Sequence, residues 1–537
     1  MTDWIALAYG TVFPCLILFA VYAVVISVMQ QRKETLDTEN FITARGSVGK
    51  WRIAFSFYAG AVGSWVVTGP ANYASYSGLI GCTMYAISAG FPIFFIAVFG
   101  NSVVKVLPHA MSFHHYVGWR FGYVAKSMVI LIGMFNMGLA LLAEYATTGS
   151  LFKDYVGSTN LPVIITIGVL TMFYTALGGL HVSIITDRVQ AIASLVLIVT
   201  LIVYLAIDFR ADLPTPLTSD QIGTTYYGYS SILAMPVSMM CATVFNEAMW
   251  QRVWASESKK SLYFGAGVAS VGVGCVTFLF GFGGWLANWA GYITMETNPN
   301  LYWFSLFTGG VDTTLNNAAG LLTLIAAAIM SESAVDSYQN GLTSVVVSTF
   351  LNGKDIKYAR ILVLLINIPL IALACLEIAD QVLALFLVGN MITSCCAIPI
   401  VSGLVRYDRV ERYITEFGVV FAMLFAGASV TIYGVANTPG SFWDGFVYAW
   451  YGNMYAWDYF AMAVGTSVGG LVLGCALRAC ATLCGWKLPE VVRCDVEVES
   501  LSDGIPPNKA GVTGQGREGE GAQRPGNHQP SISRVCD

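Results

Sequence analysis

Thirteen long apolar stretches follow one another along the chain. Each is about 20 residues or longer, which is enough to cross a bilayer core of about 30 Å as a helix. In that core the backbone must satisfy its own hydrogen bonds, and the long unbroken apolar runs exclude a β-barrel. The sequence therefore predicts an all-α polytopic membrane protein with about 13 transmembrane helices.

The composition and the placement of positive charge support this architecture. Of the 537 residues, 56% are hydrophobic and 11% are charged, against about 25% charged in soluble domains. Lys and Arg side chains concentrate in alternate gaps between the apolar stretches, and the other gaps hold only Lys153 and Arg210. By the positive-inside rule, the N-terminus is expected outside and the C-terminal tail in the cytoplasm, with the plasma membrane as the default location.

The stretches fall into two blocks of five helices, at residues 51–210 and 229–405. An odd number of helices makes the second block enter from the opposite side, so the blocks are predicted to be inverted repeats. Residues 1–50 hold the extracellular N-terminus, the first helix and a cytoplasmic loop, and residues 406–485 hold two additional helices. Residues 486–537 are poor in apolar side chains and are predicted to be a disordered cytoplasmic tail.

The first helix of each block carries residues that interrupt helices. Gly60, Gly63, Gly69 and Pro70 lie in the first block, and Pro236 lies in the second. Interrupted helices at matching positions of two halves indicate a binding site near the bilayer midplane. The alternative is that these residues serve helix packing, for which Gly is common in membranes.

Four motifs then resemble those of one family, in order and spacing. Tyr174–Gln190 reads YTALGGLHVSIITDRVQ and resembles the sodium:solute symporter signature, roughly YTxxGGxxAVxxTDxxQ. Arg120–Gly122, Gln251–Arg252 followed by Ala255, and Ala327–Ser331 resemble three further motifs of that family. The resemblance implies a LeuT-like fold and alternating access, with a sodium ion usually coupled to the solute.

The resemblance also implies a cation site. Backbone carbonyls of Ala59 and Val62 in the first broken helix match one half of the family's site. The carbonyl of Ala328 and the hydroxyl of Ser331 match the other half, and such oxygen ligands suit Na⁺. The next family position is commonly Ser or Thr, whereas this chain has Glu332. No other cofactor is expected beyond the coupling ion, Na⁺ or H⁺.

Glu332 admits two interpretations. It is either an anionic ligand of Na⁺ or a proton acceptor, because an intramembrane carboxylate usually marks a pathway or a pair. Asp336 lies one turn further on the same face and could share a proton with it. Alternatively, Glu332 turns away and pairs with a helix neighbour, which leaves Ser333 as the ligand.

Other charged residues have competing interpretations as well. The resemblance makes Asp187 a station on the ion pathway, and the rival role is capping of its helix by Thr186 or Asp187. Glu144 has no evident partner in the sequence. Glu247 is expected to form an ion pair with Arg252 near the membrane surface.

Five residues are predicted to line a solute pocket. By resemblance, Ala61, Trp65 and Val66 occupy substrate-facing positions of the first broken helix. Ala242 stands at an aromatic gate position of the second, and Asn246 matches a polar position there. Such a wall suits a small neutral solute such as urea, or an organic cation held by cation–π attraction to Trp65. Ordinary aromatic packing is the alternative.

The sequence thus predicts a secondary active symporter that uses Na⁺ or H⁺ to take up a small organic solute. Trp250–Arg252 faintly resembles the urea and polyamine branch of the family. An enzyme is not expected, because the chain has only five histidines and the adjacent His114 and His115 point to different helix faces. An uncoupled uniporter or channel and a transporter-fold sensor stay open. The expected partners are the solute, the coupling cation and lipid, without nucleic acid, and the oligomeric state is open.

Overall fold

The computed structural model describes residues 2–32, 38–294, 296–309, 318–351, 355–376, 382–404 and 413–486. The predicted tail lies outside the described residues, apart from Trp486. The described chain is almost entirely helical. The helices are α1 Thr2–Gln31, α2 Thr38–Thr43, α3 Lys50–Ala61, α4 Trp65–Val106, α5 Phe113–Arg120, α6 Tyr123–Ser150, α7 Leu161–Asp208, α8 Ser219–Ile222, α9 Tyr226–Val244, α10 Glu247–Ala255, α11 Lys259–Trp289, α12 Ser305–Thr308, α13 Ala318–Phe350, α14 Ile356–Ala374, α15 Val382–Val401, α16 Glu416–Asn437, α17 Phe442–Val447 and α18 Trp457–Leu483.

Helix α4 is two antiparallel segments joined at Gly78. Its 42 residues would extend about 63 Å as one straight helix, twice the thickness of a bilayer core. Gly78 has a φ of 65°, a left-handed conformation that glycine adopts without strain. Along α11, Gly281 lies beside both Pro70, before this turn, and Cys82, after it, and Ser270 donates to the carbonyl of Gly90 further on. The chain therefore reverses direction at Gly78.

Helix α7 is divided in the same way at Gly179, whose φ is 58°. The segment before Gly179 runs beside α1, because Gln31 donates to the carbonyl of Leu177 and Tyr9 bonds to Ser158. A Cβ atom on Gly179 would lie 2.5 Å from the carbonyl oxygen of Phe41, so this turn requires glycine for space as well as for conformation. The segment after Gly179 carries Asp187.

Among the described residues, ten helices are long and apolar enough to cross a membrane, and α9 with α10, bent by 63°, forms an eleventh crossing. With α4 and α7 each divided at its left-handed glycine, there are thirteen crossings, the predicted number. The first repeat consists of α3–α4, α6 and α7. The second consists of α9–α10, α11, α13, α14 and α15.

The first crossing of each repeat is broken. In the first repeat the break lies between α3 and α4, around Gly63, as the sequence suggested, whereas Gly69 and Pro70 lie inside α4. In the second repeat the break lies at Phe245 and Asn246, between α9 and α10. The expectation that Pro236 marks this break is wrong. Pro236 lies within α9, because membrane helices tolerate proline when the freed carbonyl finds other partners.

Candidate functional site

A central cavity of about 100 Å³ lies between the two helix breaks. It is bounded by residues from α3, α4, α6, α9, α10, α13 and α15. Its lining consists of Ala61, Trp65, Tyr85, Ala89, Ile93, Asn136, Ala140, Met239, Ala242, Thr243, Asn246, Met249, Tyr338, Phe386 and Asn390. No lining residue carries a formal charge.

Aromatic rings form one wall of this cavity. The Trp65 ring lies 6.0 Å, centroid to centroid, from both Tyr85 and Phe386. Amide side chains form much of the polar surface. Asn136 donates to the carbonyl of Ala242 at 3.2 Å, which ties α6 to the last turn of α9. The cavity thus offers aromatic faces and neutral amide groups to a solute.

Four of the five predicted pocket residues line the cavity. These are Ala61, Trp65, Ala242 and Asn246. The structure does not place Val66 there: it is fully buried, and it is not among the lining residues. The reason is the helical rotation of about 100° per residue, which turns Val66 away when Trp65 faces the cavity.

The sequence did not single out most of the other lining residues. Asn136, Asn390 and Phe386 lie on α6 and α15, which complete the cavity opposite the two breaks. Asn136 and Asn390 are polar residues within apolar helices, and that was the signal available in the sequence. Tyr85 and Phe386 gave no such signal, because aromatic residues are common in any membrane helix.

A chain of hydroxyl groups connects α13 to the first break. We call Ser64, Thr148 and Ser331 the hydroxyl chain. The Oγ1 atom of Thr148 lies 2.9 Å from Oγ of Ser331 and 3.0 Å from Oγ of Ser64. All three residues are buried. The structure therefore brings the predicted cation ligand Ser331 to the break, rather than to lipid.

The carbonyl groups at the end of α3 face this break. The N–H of Val62 donates to the carbonyl of Tyr58 at 2.9 Å, the last such bond of the helix. The carbonyls that follow, including those of Ala59 and Val62, have no donor within α3. Ala328, one turn before Ser331 on α13, is also buried. The carbonyls of Ala59 and Val62 therefore lie at the open end of α3, whereas Ala328 lies within the continuous helix α13.

Glu332 lies on another face of α13, towards α1 and α7. Its carboxylate is fully buried, and neither oxygen has a hydrogen-bond partner among the described residues. Electrostatic neighbours of Glu332 include Cys15 of α1, Gln190 of α7 and Asp336. Glu332 thus turns away from the hydroxyl chain and faces Gln190 of α7, which is the kind of helix neighbour that the alternative interpretation names.

Asp187, Glu332 and Asp336 together form a group that we call the acid cluster. Asp336 is also fully buried and accepts hydrogen bonds from Thr175 and Asn340. Its Oδ2 atom has no partner among the described residues. Three carboxyl groups therefore lie close to one another in the interior of the protein.

Arg252 neutralises part of the negative charge of the acid cluster. Nη2 of Arg252 lies 3.1 Å from Oδ2 of Asp187, and neither side chain is exposed. Arg252 also donates to the carbonyl of Ser56 and to the hydroxyl of Ser337. Ser333 donates to Oδ1 of Asp187 at 2.8 Å. Ser333, which the alternative interpretation makes a cation ligand, is therefore hydrogen-bonded to Asp187.

Two expectations about these charges are wrong. Asp187 does not cap a helix, because the segment that carries it begins just after Gly179 and Asp187 lies two turns further on. Glu247 does not pair with Arg252: its Oε2 atom accepts the N–H of Phe113 at 3.1 Å. The partner of Arg252 comes instead from the other repeat, through Asp187.

Comparison with known proteins agrees with this geometry. Residues 41–212 match the model of the sodium:solute symporter family. The resemblance to this family is confirmed over that part of the chain. That family and the curated relatives described next are transporters and not enzymes, and the family description implies a small-molecule solute.

Two curated relatives of this chain are fungal transporters. A spermidine transporter of Candida albicans is 25% identical over 447 residues, which cover 82% of this chain and 84% of that protein. A urea active transporter of Saccharomyces cerevisiae is 25% identical over 201 residues, 36% of this chain and 26% of that protein. The second match thus spans about a quarter of the relative.

Two solved structures show the fold. A Na⁺-coupled sialic acid symporter in a substrate-bound, outward-open state matches with a TM-score of 0.66 at 16% identity, covering 88% of this chain and 97% of that chain. A nucleobase-cation-symport-1 family transporter, closed with bromovinylhydantoin bound, matches with a TM-score of 0.52 at 18% identity, covering 83% and 96%. The predicted LeuT-like fold class is confirmed.

Proposed function

We propose that this protein is a cation-coupled symporter that takes up a small nitrogenous solute by alternating access. One observation carries the proposal: the central cavity is bounded by both helix breaks, and the first break is tied to α13 through the hydroxyl chain. A solute and a cation bound at these places would both act on the same break. That shared element is what coupling between two ligands requires.

Urea, a polyamine or a related nitrogenous compound is the solute class that fits best. The cavity of about 100 Å³ has room for several water molecules, so as it stands it holds a small solute or one end of a longer one. Amide groups of Asn136 and Asn246 suit the N–H and C=O groups of urea. The rings of Trp65, Tyr85 and Phe386 suit an ammonium group. The spermidine and urea transport of the two relatives supports this class.

The coupling cation is proposed to bind between the first break and α13. Its ligands are the carbonyls of Ala59, Val62 and Ala328 with the hydroxyl of Ser331, a set of neutral oxygens that suits Na⁺. Each inward cation gains about 2.3 kcal/mol per 100 mV of membrane potential, which is sufficient to drive accumulation of the solute.

Glu332 is proposed to bind the cation or a proton from the opposite side of α13. Its unpartnered carboxylate, with Asp336 one turn away, leaves the acid cluster with more negative than positive charge when all groups are ionised. A proton shared by this pair, or a cation beside it, would remove that excess. Asp187, joined to Ser56 of α3, lies between the cluster and the helix that carries the break carbonyls. This position supports its proposed place on the ion pathway.

The proposed location is the plasma membrane, with the N-terminus outside and the tail in the cytoplasm. The alternation of basic residues between the crossings supports this orientation. The coupling ion, Na⁺ or H⁺, is the only cofactor in the proposal.

Tracer uptake in a host that lacks its own carriers tests the function. Urea, spermidine, choline, an amino acid and a sugar would each be offered with Na⁺ and with Na⁺ replaced by an organic cation, at two pH values. We expect saturable uptake of a nitrogenous solute that depends on the cation. Ser331→Ala should weaken that dependence, whereas Ser429→Ala, whose hydroxyl bonds within α16, should not.

Several outcomes would contradict the proposal. Uptake that ignores both the Na⁺ gradient and the pH gradient would indicate a uniporter or channel. A solute that binds without being transported would indicate a sensor. Equal cation dependence in Ser331→Ala and in the unaltered protein would remove Ser331 from the cation site.

A further inference from the structure

A second cavity lies to the side of the solute site, between α6, α7, α14 and α15. Its volume is about 540 Å³, within the range of about 300–1,000 Å³ that ligand sites occupy. Gly138 of α6 lines it and is buried, yet nothing lies within 4 Å of a Cβ atom at this position. The helix thus faces open space at an interior position. We name this cavity, which α6 lines from Met134 to Ser150, the lateral groove.

The lateral groove opens towards the bilayer. At its edges, Phe135 of α6 is 47% exposed and Leu373 of α14 is 37% exposed. Both helices are long and apolar enough to cross a membrane, so large apolar side chains exposed on them contact lipid tails. A lipid can therefore enter the groove sideways, without passing through the solute site.

The part of the groove beside α14 and α15 is apolar. It is lined by Leu139 and Leu142 of α6, Leu370 of α14 and Leu385 of α15. These aliphatic side chains, on three different helices, suit an acyl chain, because an apolar group leaves no polar atom unsatisfied there. A polar solute would lose its hydrogen bonds to water in this part of the groove.

The opposite end of the groove is polar and carries both signs of charge. Lys153 and Asp154 follow α6 there, and Asn160 immediately precedes α7. Nδ2 of Asn298 donates to Oδ2 of Asp154 at 2.8 Å, which holds that carboxylate at the groove. Helix α7 starts at this end without a side-chain cap from Asn160, and the N–H groups of a first helical turn favour an anionic group.

The length of the groove matches one leaflet of the bilayer. Met134 lies near the midpoint of α6, and Ser150 is the last residue of that helix. The helical rise between them is about 24 Å, against about 20–22 Å for half a bilayer including its headgroups. The polar end therefore lies at the level of the headgroups, on the side of the membrane where α6 ends.

The charges at the polar end select the class of lipid. Lys153 and the start of α7 suit a phosphate, and Asp154 beside them suits an ammonium group. A phospholipid with a zwitterionic headgroup carries both groups, whereas a sterol offers a single hydroxyl and an anionic phospholipid offers no cation. Lys153 is also one of only two basic residues in the gaps predicted to lie outside, so the positive-inside rule does not explain its position.

We propose that the lateral groove is a binding site for one zwitterionic phospholipid. Its phosphate lies beside Lys153 and its ammonium group beside Asp154, and an acyl chain follows α6 towards Met134. Binding is non-covalent, and no bond forms or breaks. This site is separate from the solute and cation sites proposed above.

The bound lipid packs behind two helices that shape the solute site. Helix α6 places Gly138 in the groove and Asn136 in the central cavity, and α15 places Leu385 in the groove and Phe386 in the central cavity. Because a ligand that binds only the folded state stabilises it, added phospholipid should raise the melting temperature of the protein.

Photolabelling of the purified full-length protein in a nonionic detergent tests the site. The probes are phosphatidylethanolamine and phosphatidylglycerol with the same photoactivatable acyl chain, and a photoactivatable sterol. We expect phosphatidylethanolamine to label peptides of residues 134–150 and 370–385 saturably, and to do so at lower concentration than the other two probes. The same lipid without the photoactivatable group should compete with it.

Gly138→Phe should abolish this labelling, because the added ring fills the groove. Gly469→Phe on α18 is the matched control, since nothing lies within 4 Å of a Cβ atom there either, and it should label normally. Phosphatidylethanolamine should raise the melting temperature of the control but not that of Gly138→Phe. Lys153→Gln, at the rim of the groove, should weaken labelling by phosphatidylethanolamine about two- to five-fold.

Four results would overturn the proposal. Labelling spread evenly over the exposed faces of all crossings would indicate ordinary surrounding lipid, and unchanged labelling in Gly138→Phe would place the lipid elsewhere. Equal labelling by phosphatidylglycerol or by the sterol would remove headgroup recognition. Crosslinks between two copies of α6, in place of lipid labelling, would make the groove a contact between protomers. The labelling needs no solute, so its outcome is independent of the proposed transport function.

Discussion

Asp187 of α7 and Arg252 of α10 form a fully buried ion pair, with 3.1 Å between Oδ2 and Nη2. Asp187 belongs to the first inverted repeat and Arg252 to the second. Arg252 also donates to the carbonyl of Ser56 on α3, so the pair connects three helices around the two breaks. The ion pair therefore joins the two repeats directly.

Removal of either partner of this pair should be strongly destabilising. Asp187→Asn leaves a buried guanidinium without its counter-ion, and Arg252→Gln leaves a buried carboxylate, each at a cost of about 3–5 kcal/mol. The double variant should lose less than the sum of the two single losses. Thermal unfolding in detergent measures this, and additive losses would show that the pair does not act as a unit.

Gly63→Ala should abolish transport. The added Cβ atom would occupy the space of the Glu144 carboxyl group and force the break to move. Gly267→Ala in α11 is the matched control, because nothing lies within 4 Å of a Cβ atom there. Uptake by both variants, normalised to the amount of folded protein, checks this. Normal uptake by Gly63→Ala would show that the break tolerates a different geometry.

The effect of Trp65 substitutions on apparent affinity should distinguish a cationic solute from urea. Trp65→Phe keeps an aromatic face towards the cavity, whereas Trp65→Leu removes it. For a cationic solute, loss of the cation–π contact, about 0.5–2 kcal/mol, should weaken apparent affinity about two- to thirty-fold in Trp65→Leu. Competition assays measure the change. An equal effect on urea and on an organic cation would mean that Trp65 only fills space.

Glu332→Gln should not destabilise the protein, and it should alter the ion coupling. The substitution removes a buried charge that has no hydrogen-bond partner among the described residues, so the free energy of unfolding should not decrease. A loss of pH dependence with the Na⁺ response intact would assign a proton to Glu332. A fall in thermal stability would instead indicate that Glu332 is held by a bound cation or by water.

The number of crossings and the place of the cavity could be predicted, but most of the cavity lining and the direction of Glu332 could not. Apolar length identifies crossings, and the two breaks brought Trp65 and Asn246 together. Helix α13 differs from the other crossings, because 78% of its most apolar segment is buried inside the protein. A helix buried on nearly all sides has no apolar stripe that shows which residue faces which neighbour. The sequence therefore placed Ser331 and Glu332 at one site, and the structure separates them.

Long-range pairs were also outside the reach of sequence reasoning. Glu247 is five residues from Arg252, so a local pair was the natural expectation, yet the partner of Arg252 is 65 residues away. Glu144 bonds to Ser64 across 80 residues. Such contacts depend on how helices pack. The available signal was only that a carboxylate within a membrane helix needs a partner or a function.

Stability should fall as the pH is lowered, through His115 on α5. Burial, together with the charge of Lys126, lowers the pKa of His115 from its ordinary value of 6.5 to about 4. The geometry requires the neutral ring, because Nδ1 accepts the N–H of Met111 while Nε2 donates to the carbonyl of Ser348 on α13.

The sign of the effect follows from these pKa values. The unfolded chain binds a proton at His115 below pH 6.5, whereas the folded protein does so only near pH 4. The contribution of His115 is therefore complete above pH 6.5 and is lost as the pH falls towards 4. As the pH is lowered, the melting temperature should fall less steeply in His115→Gln than in the unaltered protein, because the glutamine amide can make the same two hydrogen bonds. The exposed His109→Gln is the control, and three parallel curves would contradict the role of His115.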